Sequence, residues 1–171
     1  MTTLPIVKEP SPILHQRAIR VPKNSPEIQS LIDSMIETMH LAEGVGLAAN
    51  QVGSPWSILV ATTDGKKGEE LVLINPTLGE CRGRSQSPEG CLSVPGVSAD
   101  VTRSARVIVR GLNRQFQPVT IEAEGLLAKI FQHETDHLEG RLFLDRLRFL
   151  HRWRLLKKYQ ALAATLREIP V

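Results

Sequence analysis

The stretch Gln132–Gly140, QHETDHLEG, decides how the rest of the chain is read. His133 and His137 stand four residues apart, and a helix brings residues at that spacing onto one face, one turn apart. Two imidazoles so placed can grip one metal ion. Glu134, next to the first, can reach a water on that metal without taking a coordination position, which is the layout of a hydrolase. A solvated helix face is the plainer reading of an arbitrary histidine pair. Here the flanks oppose it: Leu126, Leu127, Ile130, Phe131 and Leu138 form an apolar stripe, which predicts a packed helix whose ionisable groups need partners.

The composition is ordinary for a globular protein. A chain of 171 residues is most simply one domain, long enough for a hydrophobic core without disulfides. A net charge of +3 is too small to argue for nucleic-acid binding, so no specific DNA partner is expected. Met1–Pro12 carries no apolar signal core and no run reaches membrane-spanning length, so no membrane is expected and a cytoplasmic location is. Cys81 and Cys91 are too few for a disulfide framework; in a reducing compartment a functional cysteine is metal-bound or catalytic.

Outward from the motif, strand patterns fill the middle of the chain. Ser57–Ala61 and Leu71–Ile74 are short apolar runs around the turn Asp64–Gly68, and Ala105–Leu112 with Pro118–Ala123 predict a hairpin about Asn113–Gln115. Short, hairpin-linked strands favour antiparallel sheet. Ser25 reads as an N-cap with Pro26 at the first helical position, and Ile28, Leu31, Ile32, Met35, Ile36 and Met39 give that helix a buried face. His15 is expected in solvent, and His40 against the helix-end carbonyls or water. Gly44 and Gly46, in GVGLAANQVG, permit unusual backbone angles and close approach of another chain; no phosphate-loop spacing follows them. Asp145–Glu168 predicts a final amphipathic helix ended by Pro170, with Leu147, Leu150, Leu155, Leu156, Tyr159 and Leu162 available for burial.

A catalytic metal of this kind usually takes a third protein ligand. In metzincin proteases it is a histidine six residues beyond the second; Gly140 fits that pattern, but Phe143 stands at the ligand position. A carboxylate on a later helix is the other protease solution, and beyond Asp145 only Glu168 is acidic. Upstream, Cys91 in EGCLS is the stronger donor, with Gly90 leaving the backbone room to aim it. Cys81, in a stretch that reads as exposed strand or turn, competes.

Three stretches together, GVGLAANQ (44–51), EGCLS (89–93) and QHETDHL (132–138), resemble the signature motifs of the peptide deformylases, in the expected order along nearly the whole chain. The resemblance implies an α+β fold: antiparallel sheets around the H-E-x-x-H helix, with N-terminal and C-terminal helices packed outside. It implies that Cys91, His133 and His137 bind the metal, that Glu134 is general acid and base, and that the Gln51 side chain and the Leu92 N–H form an oxyanion hole. Val45, Gly46 and Gly90 would border the peptide, and Leu126, Ile130 and His133 would line a methionine pocket. Gly96, Val97 and Ser98 occupy the stretch where some members carry a peptide-binding arginine.

The implied reaction removes the N-formyl group from the initiator methionine of nascent chains and releases formate. The family usually holds Fe(II), one per chain, although two imidazoles and a thiolate also suit zinc, nickel or cobalt. An unfamiliar metalloprotease and a non-enzymatic ribosome-associated module are the alternatives. The C-terminal extension, 146–171, carries Arg146, Arg148, Arg152, Arg154, Lys157 and Lys158. Charge alone reads as a solvated face, while the resemblance implies docking on the ribosome.

Overall fold

The structure is a computed structural model describing residues 2–63, 65 and 67–167, the last two by backbone only. Asp64 and Lys66 of the expected turn, and Pro170 as a helix terminator, lie outside the described residues. In chain order the elements are α1 (Pro26–Leu41), β1 (Gly46–Ala48), β2 (Ile58–Ala61), β3 (Leu71–Arg82), β4 (Ser85–Cys91), β5 (Val94–Arg103), β6 (Arg106–Leu112), β7 (Pro118–Glu124), α2 (Gly125–Leu138) and α3 (Phe149–Arg167). The α+β expectation holds. Among the described residues the seven named strands pair antiparallel: β1-β2-β3-β6-β7 form one sheet, and β4-β5 form a separate hairpin.

The large sheet is covered on both faces. Ile58 and Val60 of β2 join Ile32, Met35 and Met39 of α1 in one apolar cluster. Their neighbours Leu59 and Ala61 join Ala128, Ile130 and Phe131 of α2 in another. Successive strand residues point to opposite faces, so a strand with a helix on each side must be apolar throughout. That is why β2 reads as a continuous run. α1 begins as expected, with Ser25 Oγ accepting from the Ile28 N–H at 3.4 Å and Pro26 in the first turn.

Several expectations need correction. β3 runs well past Ile74, because a bulge at Asn75 (φ 53°) absorbs Pro76, which cannot donate to the ladder. The Asn75 side chain fastens the bulge to Val21, accepting from its N–H at 2.8 Å and donating to its carbonyl at 2.9 Å. His40 meets a carboxylate, Glu70 Oε1 at 2.5 Å, not the helix-end carbonyls, and His15, though exposed, pairs with Glu9 at 2.8 Å. The final helix starts at Phe149, and Asp145 belongs to the preceding turn Phe143–Arg146. Of its expected buried face, Leu155 and Tyr159 pack against β5, whereas Leu150 is 65% exposed. Side chains at 150 and 155 project from different faces of the helix, and β5 offers an apolar surface to only one.

Candidate metal centre

α2 places His133 and His137 side by side, and β4 delivers Cys91 to them at its last residue, beside a register shift between Gly90 and Cys91. His137 Nε2 lies 3.2 Å from His133 Nε2 and 3.2 Å from Cys91 Sγ. Ligands about 2.0–2.3 Å from a tetrahedral ion are themselves about 3.3–3.6 Å apart, close to these two distances, and all three donor atoms lie within 4.8 Å of one another. Among the described residues this is the cluster of three such donors that could hold a metal ion. Cys81 is exposed on β3 and contributes nothing to it.

The electrostatics suit a cation. Burial opposes charge on the Cys91 thiol, yet the charge of His137 and hydrogen bonds from both histidines outweigh it and hold the thiol well below its usual range. Burial likewise opposes a charge on His133, but hydrogen bonds to Cys91 and Glu89 and the charge of Glu134 push it well above its usual value. A cluster that holds positive charge this strongly favours a cation, and a borderline divalent metal would take it by displacing the imidazole proton, leaving a thiolate and two neutral ring nitrogens as ligands. Glu134 is buried beside them, and burial pushes its carboxyl up, with the Cys91 charge acting in the same direction. Its Oε2 is buried without a hydrogen-bond partner, the condition of a carboxylate whose partner is a water or a substrate group.

The glycine-rich stretch forms the opposite wall. A Cβ on Gly46 would collide with the Glu134 carboxylate and come within 2.9 Å of Ile130 Cγ2. Close approach is thus the whole purpose of Gly46; the left-handed backbone position at the end of α1 is taken by Glu43 (φ 53°). Gly90 is less demanding than its place beside Cys91 suggested, since a Cβ there would meet only Val97 O at 3.8 Å. Gln51 lies in the turn Ala49–Val52, which Asn50 ties to α2 by donating from Nδ2 to His137 O at 2.5 Å. The Gln51 Oε1 accepts from the Ala48 N–H at 2.9 Å, so its amide nitrogen faces Ser93 Oγ at 3.3 Å and Cys91 Sγ at 3.5 Å.

A pocket of about 580 Å³ opens onto this cluster, lined by Val45, Gly46, Gln51, Gly90, Cys91, Leu92, Leu126, Ile130, His133 and Glu134 among others. Leu126 is 50% exposed because it borders this opening, not the core its stripe suggested. The sequence reading missed four charged residues behind the site. Glu89 Oε2 accepts from His133 Nδ1 at 3.0 Å, and Arg103 grips Glu89 through Nε at 2.8 Å and Nη2 at 2.9 Å. Arg103 Nη1 also donates to Asp136 at 2.5 Å, and Asp136 is held again by Arg146. Burial would raise the Glu89 carboxyl, but Arg103 and His133 bring it down to about 2. One signal was available: Val97, Ala99 and Val101 alternate inward on β5, and the same parity puts Arg103 inside, where a guanidinium requires carboxylates.

Residues 3–153 match the family described as polypeptide deformylase. The chain belongs to that family. Among curated peptide deformylases, that of Aquifex aeolicus (strain VF5) is 46% identical over 160 residues, covering 92% of this chain and 95% of that protein. That of Halothermothrix orenii is 49% identical over 148 residues, covering 86% and 95%. The solved peptide deformylase from Legionella pneumophila superposes with a TM-score of 0.94 at 37% identity, covering 99% of this chain and all of that one. A Synechococcus elongatus peptide deformylase, solved in complex with actinonin, superposes with a TM-score of 0.87 at 39% identity, covering 91% and 86%. This deformylase therefore shares the fold along nearly its full length.

Proposed function

We propose that Cys91, His133 and His137 hold the metal with which this deformylase removes the N-formyl group from the initiator methionine of nascent polypeptides, releasing formate. The convergence of three donor atoms on one point beside a buried, unpartnered Glu134 oxygen carries this reading. When bound, the metal would supply Lewis-acid chemistry, lowering the pKa of a water and polarising the formyl group. Glu134 accepts the proton from the attacking water and passes it to the departing amine, a role suited to a carboxylate whose pKa burial has raised. Gln51, oriented by Ala48, and the Leu92 N–H donate to the oxygen on which negative charge develops. Val45, Gly46 and Gly90 border the peptide, and Leu126 and Ile130 shape an apolar recess for methionine. Formate release from a formyl-Met peptide, with no cleavage of the unformylated peptide, is the expected result; internal cleavage of the control would point to a protease.

Fe(II), one per chain, is the proposed native metal, with zinc, nickel or cobalt as substitutes. An iron–thiolate site is open to oxidation, so the Fe(II) form should lose activity in air while the nickel form persists. Equal decay of both forms would count against iron.

We further propose a cytoplasmic protein of one domain whose C-terminal extension from Arg146 docks on ribosomes. No helix among the described residues is long and apolar enough to cross a membrane. On α3, Phe149, Leu150 and Trp153 are exposed beside Arg148, Arg154, Lys157 and Lys158, a combination suited to a phosphate-rich surface with apolar recesses.

A further inference from the structure

We propose that Arg146 is a positioning residue for the metal ligand His133, acting through the buried chain Asp136–Arg103–Glu89 that ends on His133 Nδ1. The proposal rests on the assignment of His133 as a ligand. Arg146 lies at the end of the turn before α3 and is not among the residues that line the pocket opening on the ligands. Its Nε donates to Asp136 Oδ2 at 3.0 Å and its Nη2 to Asp136 Oδ1, so the carboxylate is held by both oxygens. Asp136 Oδ2 also accepts from Arg103 Nη1 at 2.5 Å, which leaves the Nε and Nη2 edge of Arg103 for Glu89. Glu89 in turn accepts from His133 Nδ1 and so directs Nε2 toward Cys91 and His137.

Charge balance explains why the outermost member reaches the innermost. The chain holds two carboxylates and two guanidinium groups, and the Arg103, Asp136 and Glu89 side chains are 2%, 3% and 8% exposed. Buried charge is tolerated only when paired. With Arg146 gone, Arg103 alone must neutralise two buried carboxylates. It is drawn toward Asp136, the fork on Glu89 loosens, and His133 loses the fixed acceptor that sets its tautomer and ring angle. Arg152–Asp145, at 2.7 Å, is an ion pair of the same segment that ends on no site residue, and it serves as the internal control.

The test follows zinc release from the full-length zinc-loaded protein to a chromophoric chelator, with thermal unfolding measured alongside. Arg146→Met should release zinc about tenfold faster, the lower end for loss of an outer partner of a metal ligand. Arg146→Lys should lie between that and wild type, because it restores the charge without the two-point grip, and Arg152→Met should match wild type. In a Glu89→Met background, which cuts the chain, adding Arg146→Met should cause no further acceleration. A full tenfold acceleration in that background, or equal effects of Arg146→Met and Arg152→Met, would overturn the proposal. Should Arg146→Met fail to fold, Arg146→Lys with and without Glu89→Met supplies the same comparison. Zinc release from His133→Ala as slow as from wild type would instead defeat the ligand assignment underneath.

Discussion

Helices α2 and α3 look alike in sequence, each mixing leucines with ionisable residues, yet α2 buries nine of its fourteen residues while α3 leaves Phe149, Leu150 and Trp153 (53% exposed) in solvent. The difference lies in what the polar groups touch. On α2, His133 meets Glu89, Asp136 meets two arginines, and Gln132 bonds Ser104 through both its amide oxygen and nitrogen at 2.9 Å. On α3, Arg154, Lys157 and Lys158 make no ion pair among the described residues, and only one face, through Leu155 and Tyr159, is packed. A buried polar group without its partner is costly, whereas an exposed one exchanges its partner for water. Changes on and around α2 should therefore be severe and specific, and changes on the outer face of α3 mild for catalysis.

The sharpest contrast should come from Glu134→Gln. The amide fits the same space but cannot accept a proton, so formate release should fall by about two to four orders of magnitude while bound metal stays near one per chain. Turnover close to wild type would remove Glu134 from the chemistry.

The two cysteines give the next largest effect. Cys91→Ser should lower metal affinity by at least about 100-fold, since a hydroxyl replaces a thiolate, while Cys81→Ser leaves it unchanged. Metal retained after dialysis decides the matter, and the reverse order would show that the third donor lies elsewhere.

Gly46→Ala probes the wall facing α2. One methyl group there meets the Glu134 carboxylate and Ile130, so the variant should lose about 1–3 kcal/mol of stability along with activity. Gly90→Ala, with 3.8 Å of room, should unfold at the wild-type temperature. Equal unfolding temperatures for both variants would break the link between Gly46 and close packing.

The smallest catalytic effect is expected on α3. Leu150→Ser with Trp153→Ser should leave deformylation of a short peptide within about twofold and stability within about 1 kcal/mol, as for exposed sites generally. The same variant should sediment less with purified ribosomes at low salt, and wild-type binding should fall steeply as salt rises. Salt-insensitive pelleting that is equal for both proteins would return α3 to a solvated face.

The sequence by itself determined the elements that local rules govern and the motifs that chemistry restricts. Ser25 and Pro26 start α1, the Asn113–Gln115 turn joins β6 to β7, and H-E-x-x-H spacing puts two imidazoles on one face, because each depends on neighbours along the chain. Residues far apart in sequence were decided by tertiary structure alone. Nothing local says that Asn75 would carry β3 past Pro76, that His40 would find Glu70, or that Arg103 and Arg146 would meet on Asp136. Nor could periodicity tell which leucines of α3 would face β5, since an amphipathic stripe states that a helix has a buried side and not how wide the surface beneath it is. Pairing across the fold depends on which surfaces the packed sheet and helices bring together, and that is a property of the assembled chain.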